Sequence, residues 1–308
     1  MQSVALTTGH QGSRCDRREP RSFSSDGEPV PIVSTPGCHG ENQARLEAGG
    51  LLLVPDRPFD IADARDFLFA DFEAITAKAI SFSPRSGALK GGRLPAEAQA
   101  GLAEVIGRYA LWAKQLVTDL LPAYASALEW GQASYRPRPA SDAISPRRDD
   151  RRLHIDAFPS QPVQGRRILR VFRNVHPARE ERIWRIGEPF KAHAARFLPA
   201  TRPAPPGQAA VLRALGVTKG RRTAYDALML QLHDAAKADE AYQAEGGRHL
   251  VRFPEGATWL VFSDAVVHAA VKGQFAFEQT FFLPVQAMAD SATSPLRILE
   301  AATGRRLT

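Results

Sequence analysis

The chain has 308 residues, 44% hydrophobic and 24% charged, a composition typical of a globular protein rather than a disordered or fibrous one. Lys and Arg outnumber Asp and Glu by 40 to 33, and this excess favours an anionic ligand: nucleic acid, anionic lipid or a small acidic substrate. Two cysteines, no apolar run of about 18 residues and no secretory signal pattern argue against a disulfide scaffold or a membrane-spanning chain, so we expect a cytoplasmic protein.

The first part of the chain divides into a polar tail and a predominantly helical region. Residues 1–44 are rich in Gly, Ser, Pro, Arg and Asp, so we predict a disordered tail before a single domain over residues 45–308. A buried strand is predicted within residues 46–55 and a helix over residues 61–80. The longest pattern of apolar residues at intervals of three and four covers residues 95–121 and predicts a helix with one buried face.

The second part of the chain alternates between strand patterns and one helical insertion. The insertion covers roughly residues 189–243, and a weaker helical pattern covers residues 287–302. Helices followed by short strands on both sides of an insertion predict an α+β fold, with a β-sandwich or open barrel and helices packed outside. Strands are predicted at residues 130–135, 153–156, 166–175, 183–186, 249–253, 258–262, 266–272 and 275–283.

One polar triplet stands out within these strands, His154-Ile155-Asp156. Residues two apart in an extended segment point to the same side, so the imidazole and the carboxylate would converge. His268 lies in an apolar strand much later in the chain and would complete a two-histidine, one-carboxylate set, which suits non-haem Fe(II). The alternative is a polar surface strand together with an ordinary buried histidine.

Four blocks of sequence resemble the Kdo 3-hydroxylase family of the Fe(II)/2-oxoglutarate-dependent dioxygenase superfamily. They are LHIDAFPS at residues 153–160, GRRILRVF at 165–172, MLQLHDAAKAD at 229–239 and EQTF at 278–281. The resemblance implies a double-stranded β-helix core of the jelly-roll or cupin type. It also implies C3 hydroxylation of 3-deoxy-D-manno-oct-2-ulosonic acid (Kdo) in the lipopolysaccharide inner core, Kdo-lipid A, with Fe(II), O2 and 2-oxoglutarate as co-substrate.

The 2-oxoglutarate anchor departs from the habit of the superfamily, in which a cation follows the distal histidine by about ten residues. Residues 277–281 contain no cation, so the anchor must come from elsewhere. Arg170 is the predicted anchor because its strand follows the metal pair, although a solvated sheet arginine is the alternative. Further cofactor contacts are predicted for Phe172 and Asn174, which share the face of Arg170, and for Gln279 and Thr280.

Basic clusters near these blocks predict contacts with the carboxylate of the sugar or with lipid phosphates. The predicted substrate residues are Arg147, Arg148, Arg152, Lys219, Arg221, Arg222 and His233. Such a basic face would also favour peripheral contact with the anionic cytoplasmic face of the inner membrane. No zinc spacing or aromatic-basic motif supports nucleic-acid binding. Two alternatives remain open, a non-catalytic β-sandwich that binds anionic sugars and a dioxygenase that acts on another acidic substrate.

Overall fold

The computed structural model describes residues 33–55, 57–69, 79–91, 95–140, 145–247 and 249–308. No helix within these residues is long and apolar enough to cross a membrane. The strands are β1 (Val33–Ser34), β2 (Leu51–Val54), β3 (Ile80–Phe82), β4 (Leu89–Lys90), β5 (Glu129–Arg136), β6 (Arg167–Asn174), β7 (Arg182–Pro189), β8 (His249–Phe253), β9 (Thr258–Phe262), β10 (Val266–Lys272) and β11 (Ala276–Leu283). The helices are α1 (His39–Glu47), α2 (Arg65–Leu68), α3 (Ala96–Leu120), α4 (Phe190–Phe197), α5 (Gln208–Ala214), α6 (Ala224–Ala238), α7 (Glu240–Glu245) and α8 (Pro295–Thr303).

The strands form two sheets. The larger has the order β1-β2-β9-β6-β11-β5-β3-β4 and the smaller has the order β10-β7-β8. Every pairing is antiparallel except that between β1 and β2. Two antiparallel sheets facing one another form a jelly roll, and the helices pack outside it. This arrangement confirms the predicted α+β class with a jelly-roll core.

An aromatic cluster joins the inner faces of the two sheets. Phe172 and Trp259 of the larger sheet stack with ring centroids 5.2 Å apart, and Trp259 stacks on Phe253 of the smaller sheet at 3.8 Å. Trp184 of β7 meets Phe172 edge to face at 4.9 Å. All four side chains are buried. Large flat side chains of this kind hold two sheets about 10 Å apart and leave room beside them for polar groups.

The outer face of the larger sheet is covered by α3. Its buried stripe includes Leu102, Val105 and Tyr109, as the apolar spacing predicts. The Tyr109 hydroxyl donates to the carbonyl of Val171 at 3.0 Å, and the Tyr109 ring stacks on Phe277 at 4.9 Å. The helix therefore fixes β6 and β11 from behind, and these two strands carry charged side chains toward the interior.

Several predicted boundaries differ from the structure. Helix α1 (His39–Glu47) lies across the predicted end of the tail at residue 44, so regular structure begins earlier, and residues 1–32 lie outside the described chain. The strand predicted over residues 46–55 is confined to β2, because Leu46 belongs to α1. In the helix predicted over 61–80, a 3-10 turn and α2 end at Leu68 and residues 70–78 lie outside the described chain.

Two further differences concern the second half of the chain. The strand predicted over 153–156 is only an isolated bridge between His154 and His268. Helices α4 to α7 lie between β7 and β8, where the insertion over 189–243 is predicted, and the last of them ends at Glu245. The C-terminal helical pattern is realised as α8 after two short 3-10 turns.

Candidate metal centre

A backbone bridge brings the two ends of the predicted metal set together. The His154 amide donates to the His268 carbonyl at 3.0 Å, and the His268 amide donates back at 2.8 Å. Two residues further on, the Asp156 amide donates to the Ser263 carbonyl at 2.8 Å. The segment is therefore clamped to both ends of the turn between β9 and β10, and His154, Asp156 and His268 face one point.

The ligand atoms of these three residues lie within 4.8 Å of one another. His154 Nε2 is 4.0 Å from Asp156 Oδ1, and the two imidazole centroids are 4.7 Å apart. Each histidine uses Nδ1 to contact a backbone carbonyl, His154 that of Arg152 at 2.7 Å and His268 that of Val266 at 2.8 Å. These contacts favour the tautomer with hydrogen on Nδ1 and leave both Nε2 lone pairs directed at the shared point.

The surroundings set the protonation state that a metal requires. Burial lowers the pKa of His154 well below its ordinary value, and burial also lowers that of His268. Burial alone would raise the pKa of Asp156, but the nearby Arg170 guanidinium and the two histidines outweigh it and leave the pKa below its ordinary value. Two neutral imidazoles and one carboxylate are the donor set of non-haem Fe(II), so the residues present fit that ion.

Beside the three ligands lies a cavity of about 300 Å³, here called the metal cavity. Trp184 stacks on the His268 ring at 4.8 Å and forms one wall. Further lining residues are Arg136, Asp150, Phe158, Arg170, Phe172, Arg182 and Ala270. The cavity is therefore bounded by aromatic rings and by an unusual concentration of arginines.

Arg170 crosses the interior from the larger sheet and links two carboxylates. Its Nη1 lies 3.1 Å from Asp156 Oδ2 and its Nη2 lies 3.0 Å from Glu278 Oε1. Glu278 Oε2 accepts from Arg136 Nε at 2.7 Å, and Arg136 Nη1 lies 3.3 Å from Asp150 Oδ2. Charges thus alternate in sign along a buried row that begins at the metal ligand Asp156.

Arg182 is the exception in this cavity. Its side chain is buried at 5% exposure, and it has no hydrogen bond or ion pair with any residue that the structure describes. Its Nε is buried without an acceptor. Burial, reinforced by the neighbouring charge of Arg136, lowers the pKa of Arg182 to about 10, so the guanidinium is still charged at neutral pH. A buried cation of this kind needs an anion, which makes the cavity suited to a carboxylate ligand.

The predicted cofactor residues are placed differently from one another. Arg170 and Phe172 line the metal cavity. Thr280 pairs with Arg170 across β6 and β11 and shares the inward face of Glu278. Asn174 instead donates to the carbonyls of Glu180 and Phe253, which holds the turn after β6.

Gln279 is on the other face of β11 from Glu278, because neighbouring residues of a strand alternate. Its amide donates to the Thr280 carbonyl. The structure therefore keeps Arg170, Phe172 and Thr280 on the side of the metal ligands, and it directs Asn174 and Gln279 elsewhere.

Several of the predicted substrate residues share a second cavity of about 570 Å³, here called the arginine cavity. It is lined by Arg147, Arg148, Arg202, Arg222, His233, Asp234 and the proline-rich residues 203–205 among others. The His233 ring meets the His154 ring edge to face, with centroids 5.4 Å apart. The arginine cavity therefore adjoins the metal centre through a direct contact between two histidines.

The remaining predicted substrate residues are peripheral or already paired. Arg152 lies 2.6 Å from Glu240 Oε1 and also donates to the carbonyl of Lys237, so it ties the segment before His154 to α6 and α7. Lys219 and Arg221 are exposed, and Arg221 lines a separate cavity next to α5.

Four charged members of the site are not among the residues predicted from the sequence: Arg136, Asp150, Arg182 and Glu278. Arg182 lies two residues before Trp184, and alternation along that strand could have indicated it.

Two imidazoles and a carboxylate at the mouth of a jelly roll define the class of non-haem iron oxygenases. The model of the 3-deoxy-D-manno-oct-2-ulosonic acid (Kdo) hydroxylase family matches residues 33–306. The chain belongs to the Kdo hydroxylase family, as the resemblance in the sequence predicts.

Solved structures of the Kdo hydroxylase KdoO, a non-heme Fe(II) α-ketoglutarate dependent dioxygenase, superpose on nearly the whole chain. The complexes with α-ketoglutarate and Fe(III) and with cobalt(II) each have a TM-score of 0.84, and the complex with succinate and Fe(III) has 0.83. Each is 40% identical to this chain and covers 90% of it and 97% of KdoO. A search of curated proteins returned no match.

Proposed function

We propose that this protein hydroxylates the Kdo sugar of the lipopolysaccharide inner core at C3, with Fe(II), 2-oxoglutarate and O2. The observation that carries the proposal is the buried set of His154, Asp156 and His268, whose ligand atoms lie within 4.8 Å of one another in the protonation state that Fe(II) requires. Bound iron, 2-oxoglutarate and O2 would supply the oxidising chemistry, with succinate and carbon dioxide as co-products. The solved structures of KdoO contain iron with α-ketoglutarate or succinate, which supports the same ligands here.

The residues around the three ligands fix their tautomer, charge and orientation for metal binding. Backbone carbonyls hold both Nδ1 hydrogens, so each Nε2 keeps its lone pair free. Arg170 keeps Asp156 anionic, and Trp184 fixes the plane of the His268 ring by stacking.

Arg182 is the better candidate than Arg170 to hold the distal carboxylate of 2-oxoglutarate. Both guanidinium Nη atoms of Arg170 already face carboxylates, Asp156 and Glu278, whereas Arg182 has no carboxylate within ion-pair distance among the described residues. Phe172 lines the cavity as an apolar wall, and Thr280 stays a predicted hydrogen-bond donor on the same side. This assignment moves the anchor from the larger sheet to the smaller one.

The arginine cavity is the proposed binding site of the acceptor sugar. Its cations, Arg147, Arg148, Arg202 and Arg222, outnumber the single carboxylate of Asp234, so the cavity favours carboxylate or phosphate groups. The contact between His233 and His154 places this cavity next to the iron ligands. The position of the cavity fits an acceptor that is larger than one sugar, and we infer a lipid-linked acceptor reached at the cytoplasmic face of the inner membrane.

Iron content and succinate formation test the proposal together. The purified protein should bind one equivalent of Fe(II), and succinate should form from 2-oxoglutarate faster when a Kdo-containing acceptor is present, with a hydroxylated sugar detected by mass spectrometry. Binding of the sugar without any iron would leave a non-catalytic sugar-binding protein. Succinate formation that only a different acidic substrate stimulates would keep the dioxygenase and overturn the acceptor.

A further inference from the structure

Helix α5 and the turn that follows it carry an unusual group of exposed apolar side chains. Val211, Leu215 and Val217 are 57%, 72% and 52% exposed. Only two other large hydrophobic residues in the described ranges are comparably exposed, Leu111 and Leu250. Three such side chains within seven residues form a patch rather than scattered surface positions.

Cations surround this patch, and carboxylates are missing from it. The sequence contains no Asp or Glu from residue 189 to residue 225, a stretch that holds seven Lys and Arg. Arg202, Arg213, Lys219 and Arg221 are exposed, and none has an ion pair with a residue that the structure describes. We call this surface, residues 202–222, the α5 platform. An anionic lipid bilayer is negatively charged at its headgroups and apolar in its interior. Exposed apolar side chains surrounded by cations are complementary to such a bilayer.

The platform is held in place by hydrogen bonds to the rest of the fold. The Arg202 amide donates to Gln231 Oε1 at 2.8 Å, and Gln231 Nε2 donates back to the Arg202 carbonyl at 2.9 Å. The Lys219 amide donates to the Ser160 carbonyl at 2.8 Å. Gly207, at a left-handed φ of 80°, allows the sharp turn into α5. The apolar side chains therefore lie on α5 and the turn after it, a segment whose two ends are tied to the rest of the fold.

The platform also borders the arginine cavity. Arg202 and Gln208 belong to both, since Gln208 begins α5 and lines the cavity. An object that rests on the platform would therefore lie at the entrance of the cavity that adjoins the metal centre.

We propose that the α5 platform docks onto an anionic lipid surface. Val211, Leu215 and Val217 enter the headgroup region while Arg213, Lys219 and their neighbours contact lipid phosphates. The single sign of charge and the small apolar area favour lipid over a protein partner, whose interface would be larger and mixed in charge. Docking would present an acylated acceptor to the arginine cavity, and this one step rests on the proposed function.

Vesicle sedimentation tests the docking directly. The full-length protein should bind phosphatidylcholine vesicles that contain phosphatidylglycerol, and it should bind pure phosphatidylcholine vesicles much more weakly. The double variant Val211→Ser/Leu215→Ser should reduce binding about a hundredfold, because each buried aliphatic side chain contributes on the order of a tenfold change in affinity. The matched double variant Leu111→Ser/Leu250→Ser removes equally exposed side chains elsewhere and should bind as the wild type does.

Three outcomes would overturn the proposal. They are wild-type protein that does not bind anionic vesicles, a platform variant that binds as well as wild type, and a self-associating wild type that the platform variant makes monomeric without any vesicle binding. The last result would make the patch an interface between copies of this chain. Circular dichroism of both double variants excludes a simple loss of folding.

Turnover separates this inference from the proposed function. The platform variant should lose succinate formation with an acylated, vesicle-borne Kdo acceptor and keep it with a deacylated, water-soluble one. If wild type forms no succinate with either acceptor but still binds vesicles, the proposed function fails and the docking surface stands. If the platform variant loses turnover with both acceptors equally, the proposed role of the platform in delivery is wrong.

Discussion

The metal cavity and the arginine cavity are neighbours, yet they differ in how their charges are neutralised. In the metal cavity a row of alternating charges runs from Asp156 through Arg170, Glu278 and Arg136, and Arg182 alone lacks a partner among the described residues. In the arginine cavity and on the α5 platform, cations face solvent with few carboxylates. In the metal cavity, every charge except that of Arg182 is neutralised by a neighbouring side chain among the described residues. In the arginine cavity and on the α5 platform, the positive charges need an anionic ligand to neutralise them.

The difference has energetic consequences. Charges that are buried together depend strongly on one another, and removal of one partner typically costs about 3–5 kcal/mol. Exposed charges are screened by water and salt, and each contributes at most about 1 kcal/mol. Substitutions of paired charges in the inner region should therefore affect metal binding and folding, and those in the outer region should affect the affinity for anionic ligands.

The largest effect is expected from loss of a metal ligand. His268→Ala should abolish turnover and lower Fe(II) affinity by more than the roughly 10- to 100-fold that loss of an outer-shell partner costs. Iron stoichiometry after dialysis and succinate formation measure the two effects. His249→Ala, an exposed histidine on β8, is the control and should leave both unchanged. Appreciable iron-dependent turnover in His268→Ala would remove this residue from the metal set.

Removal of Arg170 should mainly destabilise the fold. Arg170→Met leaves Asp156 and Glu278 facing one another without the guanidinium between them, and we expect a loss of about 3–5 kcal/mol in the free energy of unfolding. Urea denaturation of the metal-free protein measures the loss. A variant as stable as wild type would show that the charge row is not an important source of stability.

Removal of Arg182 should leave the fold largely intact and impair 2-oxoglutarate binding. Arg182→Met should raise the dissociation constant for 2-oxoglutarate roughly 10- to 100-fold, because a charge-assisted hydrogen bond contributes about 1.5–3 kcal/mol. Calorimetry on the Co(II)-loaded protein without oxygen measures binding apart from turnover.

Arg252→Met, on the adjacent strand β8, is the matched control, since Arg252 is exposed and paired with Glu181 at 2.9 Å. An unchanged affinity in Arg182→Met would return the anchor to Arg170 or to another group.

The contrast between Arg170 and Arg182 also shows what could be predicted from the sequence. Helix α3 and the strands could be predicted from the local sequence. A stripe of apolar residues at helical spacing indicates a helix, and alternating apolar and polar residues indicate a strand, without knowledge of the rest of the fold. The convergence of His154, Asp156 and His268 was also predictable, since a triplet in an extended segment and a lone histidine in an apolar strand define a geometry that few folds can satisfy.

The anchor was harder to predict because it depends on which charges neutralise one another across the two sheets. Arg170 faces the interior as expected, but Glu278 and Asp156 already neutralise it. That pairing joins β6 and the segment before it to β11, which is distant from both in sequence. The α5 platform was not predicted for a related reason, since Val211 and Leu215 have the spacing of a core helix and only the fold leaves them exposed.

Acid should destabilise the protein through His193, which lies in the stretch without carboxylates. Burial, reinforced by Arg196 and His233, lowers the pKa of His193 to about 4. Its neighbours include the Tyr242 hydroxyl at 3.3 Å and Glu188 at 3.9 Å. Since the folded pKa lies below the unfolded value, stability is complete above about pH 6.5 and falls as the pH drops toward 4, by about 3 kcal/mol at most.

The variant His193→Gln tests this pH dependence. Urea denaturation between pH 6.5 and 4 should show a smaller decline in the variant than in wild type, whatever the constant cost of the lost ring. His249→Gln should keep the wild-type decline because His249 is exposed. Parallel profiles for wild type and His193→Gln would show that another group titrates in this range.

The smallest effect is expected in the outer region, from Arg202→Gln. Arg202 is exposed and lines the arginine cavity, and its guanidinium has no ion pair among the described residues. Loss of this charge should raise KM for the Kdo acceptor about two- to fivefold and leave kcat unchanged. High salt should reduce the difference, because exposed charges are screened. Arg85→Gln, in the turn between β3 and β4, is the control and should leave KM unchanged. A lowered kcat in Arg202→Gln would mean that the outer region takes part in the chemistry, and the separation between the two regions would then be wrong.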